Sequence, residues 1–254
     1  MYRISTVIVP ALRYAIDFMR FVNEVLQLIG WEKRSFSHKG QDRWVIEEIF
    51  PARPNGGYFV EIGGGDGRTS SNTYILERNY AWSGVIIEAN PFYTATIKRV
   101  RRCHCVTACV DGTVGNVEFL PFGYLGGIVS EDTDHSKTMR AQFIRKHNAN
   151  IMHMKTKTLD TILQEVGAPN IIDYLSIDVE GAEFRILSTF PFEKYQFLTI
   201  TVERPSLQLH QILIDAGYIL VKIFRFDGFY VSSSIAKTRF IAPCDFKGIK
   251  SKFF

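Results

Sequence analysis

A glycine-rich turn that carries acidic residues is the stretch of the chain whose residue types best fit ligand chemistry. Residues 63–67 contain four glycines around Asp66, and Glu61 lies just before them in the apolar, β-favouring run Tyr58–Ile62. Residues 69–72, Thr-Ser-Ser-Asn, can cap a helix directly afterwards. Glycine accepts positive φ and exposes bare backbone, and a helix N-terminus presents free N–H groups. The spacing therefore predicts a strand, a ligand-binding turn and a helix in succession.

The acids decide which ligand such a turn suits. A dinucleotide-binding turn reads Gly-x-Gly-x-x-Gly and binds a pyrophosphate, which the carboxylates of Glu61 and Asp66 would repel. The same carboxylates suit a ligand with an ammonium group and ribose hydroxyls, and S-adenosylmethionine is such a ligand. The competing interpretation is a tight glycine turn with a solvated acid and no ligand.

Other apolar, β-rich runs also end in a carboxylate. Five such runs end, in chain order, at Glu61, Glu88, Asp111, Asp178 and Glu203. Because ligands of open parallel sheets bind at the carboxyl ends of the strands, these acids predict an acidic rim around one site. Any single acid could instead cap a helix, and that interpretation is as good as a functional one for Glu180 and Glu183.

Each position on the rim suggests a role. Glu88 is placed to accept hydrogen bonds from ribose hydroxyls, with Asn90 beside it, and Asp111 could accept one from an adenine amino group. Asp178 and Glu203 lie where a second substrate or a divalent cation would bind. Asp178 could also act as general base toward a hydroxyl, if burial or a neighbouring acid raised its pKa.

The elements that must position these acids alternate regularly along the chain. The predicted strands are residues 58–62, 83–88, 105–110, 171–177, 197–202, 218–226 and 229–232, the last two joined by a turn at Asp227-Gly228. The predicted helices are residues 44–50, 71–79, 91–101, 158–165, 181–189 and 207–216. Strands that alternate with helices predict an α/β fold whose seven-stranded sheet is mostly parallel and covered on both faces.

Two segments fall outside this alternation. Residues 12–29 predict an apolar helix with one narrow polar stripe, and residues 1–34 are interpreted as an amphipathic helical extension. Its charges recur too often for a membrane span, so we expect it to dock on the domain or on a second copy, or to make weak membrane contact. Residues 112–156 are interpreted as an insertion with short β segments at 114–121 and 126–130. Residues 131–150 within it predict a polar functional loop.

Composition narrows the function classes further. The 254 residues are 46% hydrophobic, which favours one large domain, and 30 basic against 26 acidic residues give a net charge of +4. No basic cluster is interleaved with aromatic residues, so no nucleic-acid partner is expected. Four cysteines, three of them within residues 103–109, suit neither a disulfide framework nor structural zinc and indicate a cytoplasmic protein.

Several kinds of active site are disfavoured by the motifs. The chain has no Gly-x-Ser-x-Gly elbow after a strand and no Gly-x-x-x-x-Gly-Lys phosphate loop. Its six histidines lack metal-ligand spacing, and no residue is assigned as a metal ligand. His38 and His135 lie in polar stretches that could reach the site, but ordinary surface positions are the favoured interpretation.

Taken together, the motifs resemble those of the FkbM-type S-adenosylmethionine-dependent methyltransferases over residues 37–232. The first matching stretches are Gly-Gln-Asp at 40–42, Phe-Val-Glu-Ile-Gly-Gly-Gly-Asp-Gly at 59–67 with Ser-Asn-Thr at 71–73, and Trp-Ser-Gly-Val-Ile-Ile-Glu-Ala-Asn-Pro at 82–91. Thr-Leu-Asp at 158–160, Asp-Tyr-Leu-Ser-Ile-Asp-Val-Glu-Gly-Ala-Glu at 173–183 and Val-Glu-Arg at 202–204 complete the match. The Ser-Ile-Asp-Val-Glu-Gly-Ala-Glu block on the predicted fourth strand is the most distinctive of them.

The resemblance implies a Rossmann-like class I methyltransferase fold for residues 35–254, with an antiparallel last strand, and S-adenosylmethionine as cofactor. The residues implied to bind the cofactor are Gln41, Asp42, Glu61, Gly63, Gly64, Gly65, Asp66, Asn72, Glu88, Ala89, Asn90, Asp111 and Asp178. Of these, Gln41 and Asp42 would close over the cofactor, Glu61 and Asp66 would line its methionine side, and Asp111 would face the adenine. The residues implied to act in catalysis are Asp178, Glu180 and Glu203. Family members often carry aspartate where this chain has Glu61.

Two functions from different classes follow. The leading hypothesis is O-methylation of a hydroxyl on a small-molecule, sugar or lipid-linked acceptor, whose identity would be decided by the helix at 12–29 and the loop at 131–150. The alternative is a catalytically inactive cofactor-binding protein that uses its N-terminal helix for assembly, as a homodimer, or for membrane contact. A nicotinamide-dependent oxidoreductase ranks third, because it predicts a glycine turn without acids.

Overall fold

The structure is a computed structural model that describes residues 35–123, 126–133, 137–147 and 150–246. The predicted helix at 12–29, and with it the predicted N-terminal docking or membrane contact, lies outside the described residues, as does His135. Among the residues that are described, no helix is both long enough and apolar enough to cross a membrane.

The described elements alternate between strands and helices for most of the chain. The strands are β1 (Tyr58–Ile62), β2 (Ser83–Glu88), β3 (His104–Thr107), β4 (Cys109–Val110), β5 (Asn116–Leu120), β6 (Gly127–Ile128), β7 (Met152–Lys157), β8 (Ile171–Ile177), β9 (Gln196–Glu203), β10 (Tyr218–Phe224) and β11 (Asp227–Ser232). The helices are α1 (Gln41–Arg43), α2 (Tyr74–Tyr80), α3 (Thr94–Val100), α4 (Lys137–His147), α5 (Leu159–Glu165), α6 (Glu183–Ser188), α7 (Leu207–Asp215) and α8 (Ser233–Arg239). A π-helix, Trp44–Ile49, continues α1, and a 3₁₀ turn, Pro91–Tyr93, leads into α3.

Seven strands form the main sheet, in the order β3-β2-β1-β8-β9-β11-β10. β1 pairs in parallel with both β2 and β8, and β8 pairs in parallel with β9. β11 runs antiparallel to both of its neighbours, β9 and β10. The chain builds outward from β1 in one direction and from β8 in the other, so the order switches between these strands, where open α/β sheets bind ligands. The predicted α/β fold with a seven-stranded, mostly parallel sheet is confirmed.

The main sheet is buried on both faces because its strands are apolar at consecutive positions. Val60 and Ile62 of β1 pack in one core with apolar residues of α5, α6 and α7. Phe59, which points to the opposite face, packs in a second core with the π-helix, α2 and α8. Because helices cover both faces, the ends of the strands are the part of the sheet that remains accessible.

The predicted strand at 105–110 is wrong as a single element, because the chain changes sheets within it. β3 ends at Thr107 in the main sheet, and after Ala108 the chain enters β4 of a second, four-stranded sheet in the order β4-β7-β5-β6. β7 was not predicted, and α4 lies within the stretch predicted as a polar loop. The segment at 112–156 therefore carries more secondary structure than its polar composition indicates.

Other boundaries also differ from the prediction. Arg225 and Phe226, and not Asp227-Gly228, form the turn between β10 and β11. α2 begins at Tyr74 rather than at residue 71, and the predicted helix at 44–50 is the π-helix. Helix α8 follows β11 and was not predicted.

Candidate active site

A cleft with a volume of about 430 Å³ opens at the carboxyl ends of β1, β2, β8 and β9. Ten of the predicted site residues line it: Gln41, Gly63, Gly64, Gly65, Asn72, Glu88, Ala89, Asp178, Glu180 and Glu203. The other five are not among its lining residues: Asp42, Glu61, Asp66, Asn90 and Asp111. The cleft therefore lies where the sequence predicted a site, and ten of the fifteen predicted residues line it.

The glycine turn needs its glycines because it is packed between two strands. Gly63 has φ +85°, and a Cβ atom built on it would lie 1.8 Å from the carbonyl oxygen of Asp178. A Cβ on Gly64 would lie 2.3 Å from the side chain of Ile86 in β2. No side chain fits at either position, so the backbone itself forms this wall of the cleft.

Glu61, which was predicted to contact the cofactor, accepts hydrogen bonds from the segment after the turn. Its carboxylate accepts hydrogen bonds from the Asn72 N–H at 2.6 Å, the Thr73 hydroxyl at 2.6 Å and the Ser71 hydroxyl at 2.9 Å. The buried guanidinium of Arg101 lies 3.3 Å from the same carboxylate. Glu61 is therefore a buried carboxylate whose hydrogen bonds and ion pair stabilise the segment after the turn.

Arg101 contacts residues on both sides of the turn and was not predicted as a site residue. It forms a close ion pair with Glu77 of α2, and its Nη1 also donates to the carbonyl of Gly67 at 3.2 Å and to the Ser71 hydroxyl at 3.2 Å. Its guanidinium lies over the ring of Phe59, 5.3 Å from the centroid. The buried guanidinium of Arg101 therefore stabilises the glycine turn through these contacts.

Three more residues that were predicted to contact the cofactor accept local backbone hydrogen bonds. Asp66 accepts hydrogen bonds from the N–H groups of residues 68 and 69, and Asp42 accepts them from those of residues 36, 37 and 43. Asn90 caps the 3₁₀ turn by accepting from the Phe92 N–H at 3.1 Å. Short acids and amides near turns commonly satisfy the backbone in this way.

Glu88 lies at the end of β2, lines the cleft, and keeps part of its hydrogen-bonding capacity free. Its two oxygens each accept one backbone hydrogen bond at 2.7 Å, from Gly65 and from Asn90. An ionised carboxylate offers about four acceptor positions, so two remain for a ligand. Burial raises the pKa of Glu88 to about 7, against the opposing effect of these backbone donors.

Asp178 and Glu203 form a carboxyl–carboxylate pair at the ends of β8 and β9. Burial raises the pKa of Asp178 well above its usual range, and the charge and hydrogen bond of Glu203 raise it further. Burial alone would raise the pKa of Glu203 as well, but the hydrogen bond from Asp178 and the charges of Arg204 and Lys39 lower it overall. Burial and like charge therefore disfavour ionisation of both carboxyl groups at once.

Lys39 and Asp227 belong to the same cluster and were not predicted as site residues. The Lys39 ammonium donates to Asp227 at 2.6 Å and to Glu203 at 3.4 Å, and Gln41 donates to the other Asp227 oxygen at 2.7 Å. Burial raises the pKa of Asp227 to about 6, although Lys39 opposes the shift. The position of Lys39 directly before the Gly-Gln-Asp motif could have indicated a role in the site. Asp227 was instead interpreted as part of a turn.

Glu180 forms a group of three acids with Asp178 and Glu203 at the ends of β8 and β9. One carboxylate oxygen from each of Asp178, Glu180 and Glu203 lies within 4.8 Å of the others, a spacing that suits a divalent cation. However, Arg204 lies 3.9 Å from Glu180 and 3.4 Å from Glu203 and already supplies positive charge. We make no metal assignment for this group.

Asp111, which was predicted to face an adenine, is not among the residues that line the cleft. Asp111 follows β4 in the second sheet, and its carboxylate forms an ion pair with Arg185 at 3.0 Å. The apolar part of the cleft is formed instead by Phe119 and Ile128, which are paired across β5 and β6, and by Ala89. The split between β3 and β4 could not be predicted from one continuous β-rich run.

His38 and Asn72 also line the cleft. His38 is exposed, and burial together with the charges of Lys39 and Arg225 lowers its pKa. Asn72 is buried, and its amide donates to the Ser176 hydroxyl at 2.8 Å. The favoured interpretation of His38 as ordinary surface is therefore incomplete, since it is both exposed and at the mouth of the cleft.

Comparison with known proteins bears on the chain at two levels. No curated protein matches it. Among solved structures, a TehB-like SAM-dependent methyltransferase from Corynebacterium glutamicum is similar with 10% identity and a TM-score of 0.43, over 88% of this chain and 98% of that one. A precorrin-6y C5,15-methyltransferase from Geobacter metallireducens is similar with 11% identity and a TM-score of 0.37, over 78% of this chain and 90% of that one. At these TM-scores neither structure bears on function.

The family comparison covers most of the residues that line the cleft, but not His38, Lys39, Gln41, Arg225 and Phe226. Residues 61–220, more than half of the chain, match the methyltransferase FkbM domain. The match includes the glycine turn, Glu88, the carboxyl–carboxylate pair and Arg204. The chain therefore belongs to the FkbM methyltransferase domain family.

Proposed function

We propose that this protein is an S-adenosylmethionine-dependent methyltransferase that methylates a hydroxyl oxygen of its acceptor. The observation that carries the proposal is that one cleft brings together the bare backbone of the glycine turn, the partly free carboxylate of Glu88 and the Asp178–Glu203 pair. Family membership supplies the class of reaction. The geometry supplies the assignment of each part.

The residues on the β1–β2 side fit the cofactor. Glu88 has two acceptor positions left for ribose hydroxyls, and the glycine turn lets a ligand approach the backbone N–H groups. Phe119 and Ile128 offer an apolar wall to a flat base beside Ala89. When bound, S-adenosylmethionine supplies an electrophilic methyl group on a positively charged sulfur, which suits a cleft with this many carboxylates.

The carboxyl–carboxylate pair fits the acceptor hydroxyl. Because the raised pKa of Asp178 and the lowered pKa of Glu203 disfavour ionisation of both groups at once, the pair can hydrogen-bond a hydroxyl and then take its proton. The hydroxyl oxygen gains the methyl group, and its proton passes to the pair. Holding the oxygen close and in line accounts for most of the expected acceleration, because such positioning lowers the barrier by about 7–11 kcal/mol in favourable cases.

Calorimetry with S-adenosylhomocysteine tests the cofactor assignment without knowledge of the acceptor. We expect binding by the wild type, and a loss of at least about tenfold in Glu88→Ala, because a buried acceptor of two ribose hydroxyls is removed. Glu165→Ala is the matched control, since Glu165 is an exposed glutamate paired only with Lys157 and should leave the affinity unchanged. A folded wild type that gives no binding heat refutes the proposal.

The acceptor class of small-molecule, sugar or lipid-linked hydroxyl compounds is part of the same proposal. It is supported by the open side of the cleft beyond Asp178, where Arg204, Arg225 and Phe226 form the wall. A screen that measures S-adenosylhomocysteine formation tests it. Turnover with no hydroxyl compound, but with an amine or thiol, would replace O-methylation by another methyl transfer.

A further inference from the structure

Strained backbone concentrates around the cleft. Among the described residues, six non-glycine residues have positive φ: Ser70, Ala81, Glu180, Arg204, Arg225 and Phe240. Four of these six line the cleft, namely Ser70, Glu180, Arg204 and Arg225. Left-handed backbone is unfavourable for residues with a Cβ atom and persists where the surrounding structure enforces it, which is most often at functional sites. Three of the four place a charged residue on the cleft wall.

Arg225 is the most unusual of them, because glycine or asparagine would suit its position better. It is the first residue of the two-residue turn between β10 and β11, with φ +58°. Turns of this length strongly favour glycine, asparagine or aspartate at positions with positive φ. The turn is fastened beside the reacting end of the cleft, since the Phe226 carbonyl accepts from the Arg204 N–H at 2.8 Å and Asp227 lies opposite Glu203 in the sheet.

Arg225 differs from the other buried or cleft-lining cations in having no carboxylate partner. Lys39 is paired with Asp227 and Glu203, and Arg204 lies close to Glu180 and Glu203. The contact made by the Arg225 guanidinium is with the ring of Phe224, 5.8 Å from the centroid, and no carboxylate of the described residues lies within ion-pair distance of it. The side chain is exposed at the mouth of the cleft, so its five N–H donors are available to a ligand.

The order of strands places Arg225 on the acceptor side. Across the edge of the sheet from β2 to β10, the cleft presents Glu88, then Gly63, then Asp178, then Glu203 and finally Arg225. The proposed cofactor residues Glu88 and Gly63 lie on one side of Asp178, and Arg225 lies on the other. A group bound by Arg225 therefore belongs to the molecule that receives the methyl group.

We propose that Arg225 binds an anionic group, a phosphate or a carboxylate, of the hydroxyl-bearing acceptor. The inference rests on the proposed methyl transfer and names its substrate class. Arginine suits this task because its planar guanidinium donates two parallel hydrogen bonds to either oxyanion. His38 lies on the same rim, and a neutral imidazole there can add one further donor without repelling Arg225.

The test uses inorganic phosphate and acetate as probes on the full chain saturated with S-adenosylhomocysteine. Each anion is titrated while the Nε–Hε signal of Arg225 is followed by nuclear magnetic resonance, with that signal assigned from Arg225→Gln. Perturbation of the remaining cleft signals gives the affinity of the variants. We expect Arg225→Gln to weaken binding of at least one anion by about tenfold or more, because it loses a charge-assisted, two-point contact. Arg225→Lys should retain part of the affinity, and Arg99→Gln, which alters an exposed arginine of α3, should retain all of it.

The outcomes separate the two proposals. Phosphate-selective binding assigns a phosphorylated acceptor, and acetate-selective binding assigns a carboxylate-bearing one. Equal anion affinity in wild type and Arg225→Gln, or no anion binding to the loaded wild type, overturns the inference about Arg225. A loss of S-adenosylhomocysteine affinity in Arg225→Gln also overturns it, because Arg225 would then belong to the cofactor. Failure of the wild type to bind S-adenosylhomocysteine at all counts instead against the proposed methyl transfer.

Discussion

Cofactor binding should strengthen with pH because of one buried carboxyl group, that of Glu88. Its pKa is raised from 4.5 to about 7 by burial, so the protein without ligand holds this proton in mildly acidic solution. Ribose hydroxyls donate to an ionised carboxylate better than to a protonated one, so binding favours loss of the proton. The affinity for S-adenosylhomocysteine should therefore rise as the pH is raised through about 7.

The size of the effect follows from the ionised fraction of Glu88. With a pKa of about 7, roughly a tenth of the molecules are ionised at about pH 6 and roughly nine tenths at about pH 8. If only the ionised form binds, affinity rises about tenfold over this interval, which corresponds to about 1.4 kcal/mol. The stability of the protein without ligand should change with pH in the opposite direction. The folded state holds the proton more tightly than the unfolded chain, so the free energy of unfolding falls as pH rises from about 4.5 to about 7.

Calorimetry of S-adenosylhomocysteine binding across this pH range measures the effect directly. Glu88→Gln should bind weakly at every pH and lose the pH-dependent component, since its amide does not titrate, whereas Glu165→Gln should follow the wild type. Titrations in buffers of different ionisation enthalpy should also detect a proton released on binding to the wild type. A flat wild-type profile, or the same slope in Glu88→Gln, would refute the role given to Glu88.

Three further predictions concern the fold around the cleft. Gly63→Ala should abolish S-adenosylhomocysteine binding and lower Tm strongly, because its Cβ would lie 1.8 Å from a backbone oxygen. Gly167→Ala is the control: Gly167 has φ +63° but open space around it, so the free energy of unfolding should fall by only about 1–2 kcal/mol. Arg101→Leu should destabilise the protein by about 3–5 kcal/mol in denaturant titrations, since it leaves Glu61 buried without its cation; an unchanged midpoint would contradict the ion-pair geometry. Asp178→Asn should raise Tm at about pH 8 by roughly 2–4 °C, because burial and like charge raise the pKa of Asp178 and disfavour its ionised form; a lower Tm at that pH would show that the pair stabilises the fold.

Local pattern predicted the main sheet and the position of the cleft. Each of the strands β1, β2, β8 and β9 is an apolar run, and its carboxylate or glycine turn lies at its end in the sequence. Periodicity and spacing therefore suffice to predict these features. Glu88, Asp178 and Glu203 line the cleft for this reason. Their presence on one edge is a consequence of parallel strand order alone.

What each acid does could not be predicted, because it depends on which donors reach it first. Glu61 and Asp66 have the same chemistry as Glu88, yet folding surrounds them with hydroxyl, backbone and guanidinium donors and leaves little for a ligand. Asp111 was misplaced because the change of sheet after β3 leaves no mark in a continuous apolar run. The contact between Lys39 and Asp227 was missed because it joins parts of the chain that are 188 residues apart, although Lys39 lies next to the Gly-Gln-Asp motif.

That long-range contact also determines when the site can be complete during synthesis. Lys39 and Asp227 are 188 residues apart, and Lys39 and Glu203 are 164 residues apart. The glycine turn and Glu88 leave the ribosome early. The ion pair between Lys39 and Asp227, beside Glu203, can form only after β11 has been synthesised and has paired with β9. A nascent chain can therefore acquire the cofactor side of its cleft well before it acquires the reacting side. Formation of the β9–β11 pairing is therefore a requirement for the complete site, separate from formation of the glycine turn.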